Sequence, residues 1–263
     1  MRHIPRKRFG QHFLHDPVVL DRIIDAIRPR AGEQIIEIGP GEGALTARLL
    51  EYVPHLTAIE IDRDLATYLR HTLTAAQLTL HEADALRFDY ASLGQDLRIV
   101  GNLPYNVSTP LLFVLAEVAS QVKDMHFMLQ REVVDRMAAA PDTEAYGRLS
   151  VALQRRFRVE RLFRVAPGSF RPPPKVESAI VRLIPRPLDQ LVAVDDALFQ
   201  RIITQAFSAR RKTLRNALAG LITERGLEDL QLGADRRPDT LSPEEYLRVA
   251  QYLQTQTPTD QKN

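Results

Sequence analysis

Residues 34–49 read QIIEIGPGEGALTARL. The first part, Gln34 to Gly39, is a short β-branched run that ends in glycine, as a buried strand does. Gly39, Gly41 and Gly43 then alternate with larger residues, and Ala44 to Val53 reads as helix. A strand that turns on glycines into a helix is the opening unit of an α/β sheet. Working outward, the alternation persists. Leu56–Asp62 reads as strand, Asp64–Leu73 as helix and Leu78–Asp84 as strand. LRIVGN at 97–102 is a fourth strand, Pro110–Ser120 a helix and Met125–Gln130 a fifth strand. Upstream, Asp16-Pro17 is an N-cap with proline at the first helical position. Val19, Leu20, Ile23, Ile24 and Ile27 follow at helical spacing, and Pro29 closes the run. This order predicts a mainly parallel sheet with helices on both faces, whose ligands sit beyond the carboxyl ends of the strands.

After Tyr146 the pattern changes. YGRLSVALQRRF reads as helix, and residues 159–185 as two strands around the proline-stiffened loop FRPPPK. Pro185 and Pro187 mark a linker, and from Asp195 the chain reads as helical. The domains expected are therefore 1–185, with a basic N-terminal arm, and a small all-helical domain at 186–255. A disordered polar tail is expected at 256–263.

The composition sets outer bounds. The chain has 263 residues, 44% hydrophobic and 26% charged, which suits a soluble globule. No apolar run approaches the roughly 18 residues a membrane span needs. There is no Cys, hence no disulfide or zinc-thiolate site, and a cytoplasmic home is expected. The basic N-terminus lacks the apolar core of a secretory signal. Net charge is only +2, but its distribution is uneven. Residues 148–186 hold ten Lys/Arg against two Asp/Glu. Arg6, Lys7 and Arg8 form a second basic cluster, and Arg210, Arg211, Lys212 and Arg215 a third. Solvated helix faces would account for such clusters one at a time; three with few acidic neighbours point to a phosphate-tracking surface.

The polar residues that end the strands suggest a cofactor. Gly39, Gly41 and Gly43 form G-x-G-x-G rather than the G-x-G-x-x-G of a dinucleotide fold. Glu60 lies 21 residues past Gly39, where a carboxylate accepts both ribose hydroxyls. Asp84 ends the third strand, within reach of an adenine amino group. Each is weak alone, since tight turns and strand ends favour these residues; in order on successive strands they are a stronger signal. A missing third glycine, with Glu42 in the loop, disfavours a pyrophosphate. A nucleoside without phosphate, such as S-adenosylmethionine, suits an acid-lined pocket, and no metal is expected.

The fourth strand runs into Gly101-Asn102-Leu103-Pro104-Tyr105-Asn106. An ordinary strand-ending turn is one reading. The other is a clamp for adenine: the Asn102 side-chain carbonyl and the Leu103 backbone carbonyl accept the two N6 hydrogens. Pro104 stiffens the loop, and Tyr105 offers a face for stacking. Two acceptors at N6 would turn its lone pair out of the ring plane toward a methyl donor, with no base needed before transfer.

The motifs KRFGQHFL, EIGPGEGALT, NLPYNVSTPLL, YGRLSV, FRPPPKVESAIVRL and AFSARRKTLRNAL together resemble the KsgA-type small-subunit rRNA adenine dimethyltransferases. The resemblance spans roughly residues 6–255. It implies a Rossmann-like class I methyltransferase sheet with a small all-helical C-terminal domain. It also implies S-adenosylmethionine-dependent dimethylation of two adjacent adenosines in the 3′-terminal hairpin of 16S rRNA. The partner implied is a partly assembled small subunit, with a monomer as the default state. Carried over, His12, Leu14, Gly39, Gly41, Glu60, Asp84 and Asn102 line the cofactor pocket; Asn102, Leu103, Pro104 and Tyr105 hold the base, and Phe170 packs on its other side. Arg6, Lys7, Arg8, Arg210, Arg211, Lys212 and Arg215 contact RNA. Many relatives carry Asn where this chain has His12. Two other readings stand beside this one: a large-subunit rRNA adenine methyltransferase, disfavoured by FRPPPKVES and SARRKTLRN, and a ribosome assembly factor that is mainly non-catalytic.

Overall fold

The computed structural model describes residues 11–256; Arg6, Lys7 and Arg8, and most of the expected tail, lie outside the described residues. Helix α1 (Pro17–Ile27) begins where its cap requires. The Asp16 carboxylate accepts from the backbone N–H of Val18 at 3.0 Å and of Val19 at 3.4 Å, and Pro17 fills the first turn. Its apolar stripe of Val19, Leu20, Ile23, Ile24 and Ile27 is buried, and left-handed Arg28 ends it by donating to Ile24 O.

The central sheet has seven strands. β2 (Ile35–Ile38), β3 (Leu56–Glu60), β4 (Leu78–Glu82), β5 (Leu97–Asn102) and β6 (Val122–Gln130) are parallel. β9 (Ser178–Pro185) joins β6 antiparallel, and β7 (Phe157–Val165) forms the edge. The order is β4-β3-β2-β5-β6-β9-β7. Helices α2 (Ala44–Leu49), α3 (Arg63–Thr72) and α4 (Ser108–Glu117) connect the parallel strands. Strand order reverses between β2 and β5, so a crevice opens there at the carboxyl ends. Gly101 lets the two strands approach: a Cβ on it would lie 2.4 Å from Ile38 O. A separate two-stranded ribbon pairs β1 (Phe13–Leu14) with β8 (Phe170–Arg171), Leu14 opposite Phe170. Helix α5 (Arg131–Met137) follows β6 directly, with no turn residue to announce it.

The described residues group into two compact units, 11–134 with 158–185, and 135–157 with 186–256. Residues 135–157, which the expected boundary at 185 placed in the first domain, thus group with the helical part. Local bonds account for that grouping. Tyr146 OH donates to Leu241 O at 2.8 Å, Arg186 Nε to Gln154 O at 2.7 Å, and Arg155 and Arg156 both pair with Asp196. This unit contains α6 (Arg148–Gln154), α7 (Asp196–Ser208), α8 (Leu214–Ala217), α9 (Glu224–Asp229) and α10 (Pro243–Gln256). Gln256, the first residue of the expected tail, closes α10. No helix among the described residues is long and apolar enough to cross a membrane.

Candidate active site

A cavity opens at the carboxyl ends of β2, β3 and β5, and Gly39, Gly41, Glu60, Asp84 and Asn102 all line it. The glycine loop leaving β2 is left-handed at Gly39 (φ 67°), Gly41 (φ 60°) and Gly43 (φ 83°). At Gly41 a Cβ would also meet the Phe13 ring at 3.0 Å. Glu60 is 5% exposed. Its Oε2 accepts from Gly41 N at 3.2 Å and its Oε1 from Asp62 N at 2.9 Å. Burial pushes its carboxyl above the ordinary value, against those two N–H donors. One carboxylate thus holds the glycine loop and keeps lone pairs for the cavity. Asp84 Oδ1 accepts from Leu86 N at 2.9 Å, which leaves Oδ2 for a ligand.

The loop after β5 presents two acceptors. Asn102 Nδ2 donates to His12 O at 2.8 Å. A carbonyl only accepts, so this bond fixes the amide and turns Oδ1 into the free end. Further along, Val107 N donates to Pro104 O at 3.2 Å, and Ser108 Oγ to Tyr105 O at 3.1 Å. The intervening Leu103 carbonyl accepts no backbone hydrogen bond among the described residues. The Leu103 side chain is buried and its N–H donates to Met128 O at 3.2 Å, which anchors the loop to β6. Tyr105 OH and Ser178 Oγ are 2.6 Å apart. Burial raises the phenol above its ordinary value, with the Ser178 bond opposing.

The N-terminal arm crosses this cavity. Gln11 Nε2 donates to Asp62 Oδ2 at 3.1 Å. His12 stacks on Tyr105, ring centroids 5.6 Å apart and planes at 27°, and its Nδ1 donates to Pro172 O at 2.7 Å. His12 and Leu14 both line the cavity, His12 lying also against the tyrosine. Phe170 stands elsewhere. It is 2% exposed, packs in the hydrophobic cluster with Leu14 and Val165, and is not among the cavity residues. The resemblance put Phe170 on the far side of the target base; here the pairing of β8 with β1 packs it with Leu14 under the arm instead.

Three contributors escaped the sequence reading. Glu37 on β2 is 2% exposed and accepts from Thr46 Oγ1 at 2.6 Å. Burial lifts its carboxyl to about 7, with the Thr46 bond opposing and the Glu60 charge adding. Ile61 follows Glu60 and is a 45% exposed aliphatic side chain beside the cavity, a surface for a flat ring. Ser178 steadies Tyr105 from β9. An acid inside an apolar strand and an aliphatic after an acid were the available signals.

Of the second unit's basic residues, Arg210 is bound internally, to Asp239 at 3.1 Å and the carbonyls of Thr143 and Glu144. Arg215 bridges Glu224 and Asp235. Arg211 and Lys212 are exposed and have no ion-pair partner among the described residues.

Among the described residues no lysine or arginine lines the cavity, while Glu37, Glu42, Glu60 and Asp84 do. Such a donor set fits a nucleoside with a positive centre and rejects a phosphate.

The ribosomal RNA adenine dimethylase family matches residues 2–255. The chain belongs to this family. Among its dimethylase relatives, the ribosomal RNA small subunit methyltransferase A of Thiobacillus denitrificans is 55% identical over 253 residues, covering 96% of this chain and 99% of that one. The protein of the same name from Aromatoleum aromaticum is 54% identical, covering 97% of each. A solved dimethyladenosine transferase from Plasmodium falciparum is similar with a TM-score of 0.82 at 25% identity, over 93% of this chain and 98% of that one. The 23S rRNA methyltransferase ErmE matches with a TM-score of 0.71, also at 25% identity, over 92% and 99%. The class I methyltransferase sheet expected from the resemblance is therefore the fold of this family member.

Proposed function

We propose that this dimethylase-family enzyme transfers methyl groups from S-adenosylmethionine to N6 of two adjacent adenosines in the 3′-terminal hairpin of 16S rRNA, in a partly assembled small subunit in the cytoplasm. The observation that carries the chemistry is the fixed Asn102 amide. Its carbonyl end and the unengaged Leu103 carbonyl lie beside a cavity lined by carboxylates and, among the described residues, free of lysine and arginine. Identity favours the small-subunit target: 55% to a small-subunit enzyme against 25% to a 23S one.

S-adenosylmethionine supplies an electrophilic methyl when bound. Glu60 is the residue to hold its ribose and Asp84 its adenine amino group, with Ile61 against the base; the glycine loop gives the backbone room. The chain's part in transfer is positional. Asn102 Oδ1 and Leu103 O accept the two N6 hydrogens and orient the lone pair; their dipoles stabilise the nitrogen as it becomes positive. Tyr105, anchored through Ser178, presents a face for the target base. The proton leaves afterwards from a cationic amine, so no general base is required. Arg211 and Lys212 are the cations of their cluster left to meet rRNA phosphates, and 186–255 is the segment we assign to that contact.

The test is transfer of labelled methyl to undermethylated small subunits, with large subunits and adenine-containing DNA alongside and the product nucleoside identified by mass spectrometry. N6,N6-dimethyladenosine confined to the small subunit is expected. Transfer to the large subunit overturns the target, and tight subunit binding without transfer favours the assembly-factor reading.

A further inference from the structure

A second groove lies at the opposite, amino end of the same sheet. It is walled by the last turn of α1, by Glu33 just before β2, by the starts of β5 and β6, and by β7 and β9. Its lining carries seven Lys/Arg side chains and three carboxylates.

Two of those carboxylates are already neutralised. Asp124 accepts from Arg98 Nε at 2.8 Å and Arg182 at 3.1 Å; Glu33 accepts from Arg98 at 2.6 Å and Lys123 at 2.7 Å. Arg98, with its side chain 5% exposed, also donates to the carbonyls of Ile27 and Arg28. The carboxyl end of α1 therefore has its cation, and helix-dipole compensation does not explain the arginines beyond it. Arg22, Arg28 and Arg30 are exposed, and their guanidinium groups meet no carboxylate among the described residues; the Arg30 backbone N–H donates to Glu33 Oε2 at 3.0 Å. Arg22 is held in place: its guanidinium lies 4.0 Å over the Phe163 ring. A guanidinium held over a ring keeps N–H groups for a further acceptor, and a phosphate is one that its fork fits. Exposed Arg164 continues the positive charge along edge strand β7, where Arg158 is paired with Glu160 at 3.0 Å.

Charges at this end of the strands do not serve the cofactor cavity at the other end. We propose that this groove binds the phosphate backbone of rRNA away from the methylated bases, with Arg22 and Arg30 as direct contacts. The inference rests on the rRNA substrate proposed above.

The experiment uses the full chain with paired reversal Arg22→Glu and Arg30→Glu. Binding to undermethylated small subunits is measured across a salt series, and cofactor affinity by calorimetry. Two lost phosphate contacts are expected to make the plot of log K against log salt shallower by roughly two. Subunit affinity at low salt should fall at least tenfold on that basis, with cofactor affinity unchanged. An unchanged slope with cofactor binding intact overturns the proposal. If the reversed protein fails to bind cofactor, Arg22→Gln with Arg30→Gln is measured in the same way, and the same two outcomes decide. If the wild type shows no salt-dependent subunit binding, the substrate reading falls first.

Discussion

Glu37→Gln tests the electrostatics of the cofactor cavity. The Glu37 carboxyl rises from an ordinary 4.5 to about 7 on folding. Between those values the native state holds a proton that the unfolded chain has lost, so stability falls as pH rises across that window. One pKa unit corresponds to about 1.4 kcal/mol, so this group removes about 3 kcal/mol between pH 4.5 and 8. Glu60, also raised, acts in the same direction. His126 does the opposite. Burial takes it from 6.5 down to about 4, with Asp124 opposing and Arg182 and Arg98 adding. There the unfolded chain binds the extra proton, so stability rises with pH between about 4 and 6.5, again by about 3 kcal/mol. In the wild type these slopes offset each other over pH 4.5–6.5. In Glu37→Gln the amide oxygen still accepts from Thr46, and the histidine slope is exposed. Urea unfolding followed by circular dichroism should give a variant that gains about 3 kcal/mol on the wild type between pH 4.5 and 8. A difference that stays constant with pH refutes the claim that Glu37 is a buried, protonated carboxyl.

Other expectations follow from packing and contacts. Gly101→Ala places a Cβ 2.4 Å from Ile38 O, so β2 and β5 must part; thermal unfolding should show a loss of about 1–3 kcal/mol. Weaker cofactor binding should accompany it, and wild-type stability would contradict the close approach. Tyr105→Phe should keep most methyl transfer and Tyr105→Ala lose most of it; equal losses would make the hydroxyl bond to Ser178, rather than ring stacking, the main term. Reversing Arg211 and Lys212 should flatten the salt dependence of subunit binding. Arg210→Ala should instead lower the melting temperature, because Arg210 ties Asp239 to the 143–144 backbone.

Much of this was legible because local chemistry and tertiary structure agree. The Asp16-Pro17 cap, the period of α1 and the strand–glycine–helix unit at 34–49 each depend on near neighbours. The carboxyl ends of parallel strands then collect Gly39, Glu60, Asp84 and Asn102 without further information. Long-range pairing was not legible. Phe170 is buried because Leu14 lies opposite it, 156 residues away in sequence. His12 contributes through its backbone carbonyl, which no residue type reveals. Arg210 and Arg215 look like their free neighbours until Asp239, Glu224 and Asp235 fold against them. Glu37 reads as one more acid near a glycine loop, and only its depth lifts its carboxyl to about 7.

The central claim is that an oriented Asn102 carbonyl holds the reacting nitrogen. Single-turnover methyl transfer by Asn102→Ala on undermethylated small subunits tests it most directly, with subunit affinity measured on the same protein. The expected rate is on the order of 10²–10³-fold lower, the size seen when one preorganised dipole is removed, with subunit binding little changed. Transfer at the wild-type rate would contradict it.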